Sequence, residues 1–298
     1  MNCLRLSNIE KLTSSLARGA AMELYLTPKP GLVDLADSGS HTDLSLEIME
    51  RSVGYISEYL DEIKISLISN EPFECQRLIA MRAEQRLYDN LNTNTHKGYI
   101  FLSGMLLIAS WHSVSHGEES VRSALSAIST LFFKIRDEQD SNGHKARQKY
   151  NAGGIIQESI NGFPTLFLEA LPAFRNAYLL HGCFRIASFT MLARLMQTVE
   201  DTTTLHRCGQ IGLTRVKRDG RRLEQIIADG GDYTAFLDGL NSEYIRMNLT
   251  IGGIADMVGL TYGYLLACGE ISEVASMGYD IIYDSLFVTA GCQIPALP

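Results

Sequence analysis

Apolar residues recur along most of the chain at intervals of three and four. Ile9, Leu12, Leu16 and Ala20 form one such series, and Ile48, Met49, Val53, Ile56, Leu60 and Ile63 form another. This is the period of a helix that keeps one face on a core. Ser7 with Glu10, and Ser40 with Asp43, have the Ser-x-x-acid spacing of a capping box, which places helix starts near residues 8 and 41. Further helices are predicted over 73–91, 97–113, 118–138, 163–179, 182–199, 220–229, 232–247, 253–268 and 272–289. Few stretches alternate apolar and polar residues over strand length, and Asn-Gly or Asp-Gly pairs rarely sit between such stretches. The pattern predicts an all-α fold.

No repeat of solenoid length and no long Ser/Gly/Pro linker divides the chain. The polar stretch 137–149 reads as a loop within one domain. The expected organisation is a single compact multi-helix domain over 1–267. A further helical segment over 268–298 would pack on that domain or on a second copy in a homodimer.

Composition narrows the class. The 298 residues are 46% hydrophobic and 20% charged, which excludes disorder and collagen-like repeats. A net charge of -8 argues against a general nucleic-acid binder, because such a protein neutralises phosphates with a basic face. An anionic ligand would need local cations, helix N-termini or a metal ion. The apolar run 100–111 is interrupted by Ser103, Gly104 and Ser110, so a buried helix is expected there and no membrane association. Cys3, Cys75, Cys183, Cys208, Cys268 and Cys292 show no Cys-x-x-Cys pair, and the opening residues lack a signal-peptide pattern. Reduced thiols and a cytoplasmic location are the expectation.

Four segments carry more Gly, Pro, charge and His than ordinary connectors. Thr27-Pro28-Lys29-Pro30-Gly31-Leu32-Val33-Asp34 continues into Ser38-Gly39-Ser40-His41-Thr42-Asp43. Its two prolines and Gly31 shape a constrained turn that is either a site or a stiff connector in which Asp43 completes a cap. Asn94-Thr95-His96-Lys97-Gly98 precedes an apolar helix whose N-terminus favours anions. Asp201 to Gly209 and Asn248 to Asp256 each place an aspartate beside apolar helical sequence. A buried carboxylate there has to be paired, hydrogen-bonded or bound to a metal. Walker A, Gly-x-Gly-x-x-Gly, Gly-x-Ser-x-Gly and His-Glu-x-x-His patterns are absent.

In this order the segments resemble the triphosphoribosyl-dephospho-CoA synthase family, with Gly162-Phe163-Pro164 between them, over roughly residues 10 to 267. The resemblance implies a helical enzyme that joins ATP to 3'-dephospho-CoA, releases adenine and leaves a triphosphoribosyl group on the acceptor. Positive charge develops on the ribose as its bond to the base breaks, and carboxylates suit that need. Asp34, Asp43, Glu158, Asp201 and Asp256 are the catalytic candidates, and all but Glu158 are candidate ligands for Mg²⁺. Lys29, His41, Asn94, His96, Lys97, Arg207, Asn248, Gly252 and Gly253 are the candidates for substrate and phosphate contacts.

The chain also departs from the family pattern. Gly154-Ile155-Ile156-Gln157-Glu158-Ser159 stands where the family has Gly-Ala-Arg-Gly-Glu-Ala, so Ile156 replaces a cation. Asp201-Thr202-Thr203 replaces Asp-Thr-Asn, and Arg207-Cys208-Gly209 replaces Arg-Gly-Gly, which puts a side chain where close backbone approach is expected. Thr250-Ile251-Gly252-Gly253-Ile254-Ala255-Asp256 keeps both glycines and the aspartate of Ser-Pro-Gly-Gly-Ser-Ala-Asp. Two other readings therefore stand beside the first: cleavage of ATP with a different acceptor, and a non-catalytic nucleotide- or partner-binding homologue.

Overall fold

The computed structural model describes residues 2–93, 95–113, 117–135 and 142–272. Among them lie twelve α-helices, one π-helical stretch and no strand. The helices are α1 (Asn2–Tyr25), α2 (Leu46–Ile68), α3 (Phe73–Leu91), α4 (Lys97–His112), α5 (Glu118–Ile135), α6 (Asn142–Tyr150) and α7 (Gly154–Ile160). After the π-helical Thr165–Ala170 come α8 (Leu171–His181), α9 (Phe184–Thr198), α10 (Thr202–Ala228), α11 (Tyr233–Met247) and α12 (Gly252–Cys268). The all-α, single-domain expectation holds. No described helix is long and apolar enough to cross a membrane.

Helices α4 and α12 are apolar nearly all round and form the centre, as a helix without a polar face must. α1 packs on α12 along most of its length. Their closest approach depends on missing side chains: a Cβ on Gly19 would sit 2.2 Å from the Gly259 carbonyl oxygen and 2.5 Å from the Gly263 nitrogen. Gly263 faces Leu16 whereas Gly259 faces Ala20, so the two helices run antiparallel. Tyr99 of α4 lies against Gly259 and donates its hydroxyl to the Leu16 carbonyl at 2.6 Å, locking the third central helix to the crossing.

Several boundaries differ from the sequence pattern for identifiable reasons. Ser7 and Glu10 lie inside α1, so they do not open it. The second helix starts at Leu46 under Ser45, whose side chain accepts from the Ile48 amide. Ser40 and Asp43 are unavailable as a cap because tertiary partners take them: Ser40 Oγ donates to the Leu249 carbonyl at 2.6 Å, and Asp43 accepts from Thr93 Oγ1 at 2.9 Å.

The predicted loop 137–149 is helical from Asn142, because Ala146 packs against Leu205 and Leu213 of α10. α10 begins at Thr202, well before the predicted 220, and contains a break at Gly209, whose φ of 64° and ψ of -163° suit only glycine. In the segment predicted as helix 163–179, Pro172 supplies no N–H, and the turns just before it are π-helical. The helix expected over 272–289, and with it the 268–298 extension beyond 272, lies outside the described residues.

Candidate active site

The α1–α12 crossing sets up the site. Glu23 lies one turn beyond Gly19, and Asp256 lies one turn before Gly259, so the antiparallel pair brings both carboxyls to one cavity. This cavity encloses about 820 Å³ with its open mouth and is lined by four of the five segments that carry the resemblance. Asp256 is half-buried. Loss of water around it, then the nearby Glu23 and Asp201 carboxyls, raise its pKa well above the usual carboxylate range, against the pull of a hydrogen bond from the Tyr99 amide. Glu23 is also raised by burial, with Lys29 opposing. Ionising Asp256 beside Glu23 is therefore unfavourable until a further cation arrives.

Three helices start on this cavity, through Lys97 and Gly98 of α4, Thr203 of α10 and Gly252 of α12. Their first-turn amides are hydrogen-bond donors that carboxyls of the site occupy. Asp201 organises two of these helices. Its Oδ1 accepts from the Thr203 and Thr204 amides, both at 2.8 Å, and its Oδ2 accepts from Ile254 N at 3.0 Å. Burial nevertheless raises its pKa above the usual range. A Cβ on Gly253 would lie 3.2 Å from Asp201 Oδ2, which accounts for the glycine there. At Gly98 the demand is stronger, because a Cβ would fall 2.0 Å from Asp256 Oδ2.

His96 occupies the position before α4 with φ of 50°, and its Nδ1 shares a short hydrogen bond with Ser52 Oγ. Its Nε2 is buried with no partner among the described residues, as is Thr95 Oγ1. Burial, reinforced by the Lys29 ammonium, lowers the His96 pKa to about 4. Lys97 lines the cavity from an exposed position and pairs with Glu84 of α3 at 2.8 Å. Asn94 lies outside the described residues.

A depressed histidine pKa stabilises the fold above the unfolded value near 6.5, and that contribution is lost as pH falls toward 4. Wild type is therefore expected to lose roughly 2–3 kcal/mol relative to His96→Gln between pH 7 and pH 4. Urea titrations of both proteins at the two pH values measure this difference, and parallel curves would contradict it.

The loop between α1 and α2 forms the cavity wall through Leu32, Val33, His41 and Leu44. Its polar residues mostly brace the loop itself. Asp34 is buried and accepts from the Lys29 and Ala36 amides at 2.8 Å. Lys29 is buried with its ammonium 2.6 Å from Glu23 Oε1, also donating to the Glu23 carbonyl, so it neutralises a site carboxylate from behind. Arg207 donates to the Ser40 carbonyl at 2.7 Å, to Asn248 Oδ1 at 3.1 Å and to His41 Nδ1 at 3.3 Å. A guanidinium only donates, so His41 Nδ1 is the acceptor and its Nε2–H donates to Thr250 Oγ1 at 3.0 Å. Burial and Arg207 hold the His41 pKa down to about 4.

The structure thus gathers His41, His96, Lys97, Gly252 and Asp256 on one cavity, with Asp201 and Gly253 directly behind it. Asp34, Asp43, Arg207 and Asn248 stand in the supporting loop and its clamps. Glu158 is elsewhere: its two oxygens accept from the Thr165 amide and hydroxyl, each at 2.8 Å, and cap the π-helical stretch. The four aspartates do not form one ligand cluster, and among the described residues no three His, Cys, Asp or Glu side chains converge as a metal site. Cys208 is accommodated, with its Sγ 3.4 Å from the Met247 carbonyl oxygen. Sequence reasoning missed Glu23, Tyr99 and Thr203. The available signal for Glu23 was an acidic residue one turn beyond Gly19, flanked by the apolar Ala20-Ala21-Met22 and Leu24-Tyr25.

The family described as CitG, ATP:dephospho-CoA triphosphoribosyl transferase, matches residues 9–272. The chain belongs to the CitG family. Its CitG-family relatives include 2-(5''-triphosphoribosyl)-3'-dephosphocoenzyme-A synthase of Klebsiella pneumoniae, 28% identical over 272 residues, covering 85% of this chain and 89% of the relative. A probable enzyme of the same name from Vibrio cholerae serotype O1 is 29% identical over 280 residues, covering 87% and 88%. Another, from Salmonella gallinarum, is 29% identical over 271 residues, covering 85% and 89%. No solved structure matches the chain. Every residue of the cavity falls inside the span shared with the CitG family.

Proposed function

We propose that this cavity transfers the triphosphoribosyl group of ATP to 3'-dephospho-CoA and releases adenine. The carrying observation is the Glu23–Asp256 pair facing one cavity in a chain of the CitG family. In the transfer, the ribose C1''–N9 bond breaks and adenine leaves, taking up one proton that balances the one given up by the acceptor hydroxyl. A bond forms from C1'' to a ribosyl hydroxyl oxygen of the acceptor, whose proton is released. The ribosyl carbon becomes cationic on the way, and fixed carboxylates placed beforehand stabilise that charge without reorganising. Lys29 keeps Glu23 oriented from its buried side.

Lys97, exposed on the cavity lining, offers the triphosphate a cationic contact. The oxygen donors also fit Mg²⁺, which binds through one or two carboxylates together with substrate phosphates. Asp256, with Glu23 beside it, would hold the ion, and the ion would neutralise phosphate charge. Asp201 instead keeps two helix starts in register through its backbone hydrogen bonds.

Gly98→Ala is expected to displace Asp256 and reduce adenine release about a hundredfold, since an ångström of misplacement suffices for that loss. Steady-state adenine assays beside a thermal melt test it, and near-wild-type rates would contradict the placement. For the reaction itself, adenine release from Mg-ATP is measured with and without 3'-dephospho-CoA. Release that depends on the acceptor supports the transfer, and equal release without it assigns the ribosyl group to water.

A further inference from the structure

Thr95 and His96 are neighbours in sequence, line the same cavity, and each holds a buried polar atom with no partner among the described residues: Thr95 Oγ1 and His96 Nε2. Thr95 is only 3% exposed, so water does not serve its hydroxyl freely. A buried polar group without a partner costs stability, and such groups persist where a ligand completes them. Their chemistry restricts that ligand. The hydroxyl is neutral, and the imidazole is neutral at physiological pH because burial and Lys29 disfavour its proton. Neither offers the charge that phosphate recognition uses. Leu32, Val33, Leu44 and Met49 supply an apolar part of the same cavity's wall. Phosphate oxygens against those side chains would lose hydration without compensation.

We infer that Thr95 and His96 form the subsite for the adenine ring of the nucleotide. A purine is flat and apolar on its faces, and its edge alternates ring-nitrogen acceptors with an amino donor. A threonine hydroxyl and a neutral imidazole each match either kind of edge atom. Ser52, bonded to His96 Nδ1, fixes the ring so that Nε2 is the atom presented. The base lies on the apolar part of the wall, which leaves the ribosyl carbon to the carboxyls and the phosphates to Lys97. This inference rests on the nucleotide reading above and adds which group of the nucleotide goes where.

The test titrates adenine and inorganic triphosphate separately into full-length wild type, Thr95→Val and His96→Gln, by calorimetry. Thr95→Val keeps the shape and removes an unsatisfied hydroxyl, so it is expected to fold as well as wild type. Adenine affinity is expected to fall about tenfold in each variant, the worth of one hydrogen bond, with triphosphate affinity unchanged. Loss of triphosphate affinity with adenine binding intact overturns the inference. So does unchanged adenine binding in both variants, or no adenine binding by wild type. Adenine binding that weakens as expected in a chain that releases none from ATP would instead sink the transfer reading while leaving the subsite standing.

Discussion

Asp256→Asn is expected to lower adenine release from Mg-ATP by about a thousandfold while the melting temperature holds or rises. The opposite signs follow from one fact. Asp256 shares its surroundings with Glu23 and Asp201, and burial together with those carboxyls disfavours its anion. Asparagine keeps the shape and can still accept from the Tyr99 amide, so the fold loses an uncomfortable charge and nothing else. The cationic ribosyl loses the group that answers its charge. Sites that keep such destabilising groups exchange stability for activity. A variant that melts well below wild type would show that Asp256 serves the fold, and one that retains wild-type turnover would remove it from the chemistry.

The second large effect is structural. Gly19→Val is expected to destabilise the protein by about 3 kcal/mol or more, because its Cβ would meet the backbone of α12 at 2.2 Å, where no flexible side chain can yield. Helices α1 and α12 must then separate, and Glu23 and Asp256 separate with them. Adenine release should therefore fall further than the unfolded fraction explains. Gly239 of α11 provides the control, since a Cβ there meets nothing within 4 Å. Gly239→Ala should stabilise the protein by about 1 kcal/mol, the ordinary helix-propensity gain. Chemical denaturation of both variants measures the contrast, and equal effects would show that the crossing is not sterically tight.

Helix α3 is legible in the sequence because its apolar residues keep a helical period, and over 73–91 pattern and structure agree. What the sequence conceals is governed by long-range contacts. Ser40 and Asp43 carry a cap signature, yet hydrogen bonds to Leu249 and Thr93 draw them into a loop. The α10 start looks too polar for a helix, yet Asp201 caps it and Leu205 anchors it.

The site is legible as five motifs but not as a division of labour. Asp34, Asp201 and Asp256 look alike in sequence, and only tertiary packing makes the first a loop brace, the second a double helix cap and the third a cavity carboxyl. Glu23 carries no motif, because its place depends on a glycine crossing with a helix more than two hundred residues away in the chain.

The central claim, that the carboxyls gathered by the α1–α12 crossing carry triphosphoribosyl transfer, is tested most directly by mass spectrometry of one reaction. Wild type and Asp256→Asn are incubated with Mg-ATP and 3'-dephospho-CoA. Equal amounts of free adenine and triphosphoribosyl-dephospho-CoA from wild type, with neither from the folded variant, is the expected result. Adduct formed by the variant at the wild-type rate, or no adduct from folded wild type, would contradict it.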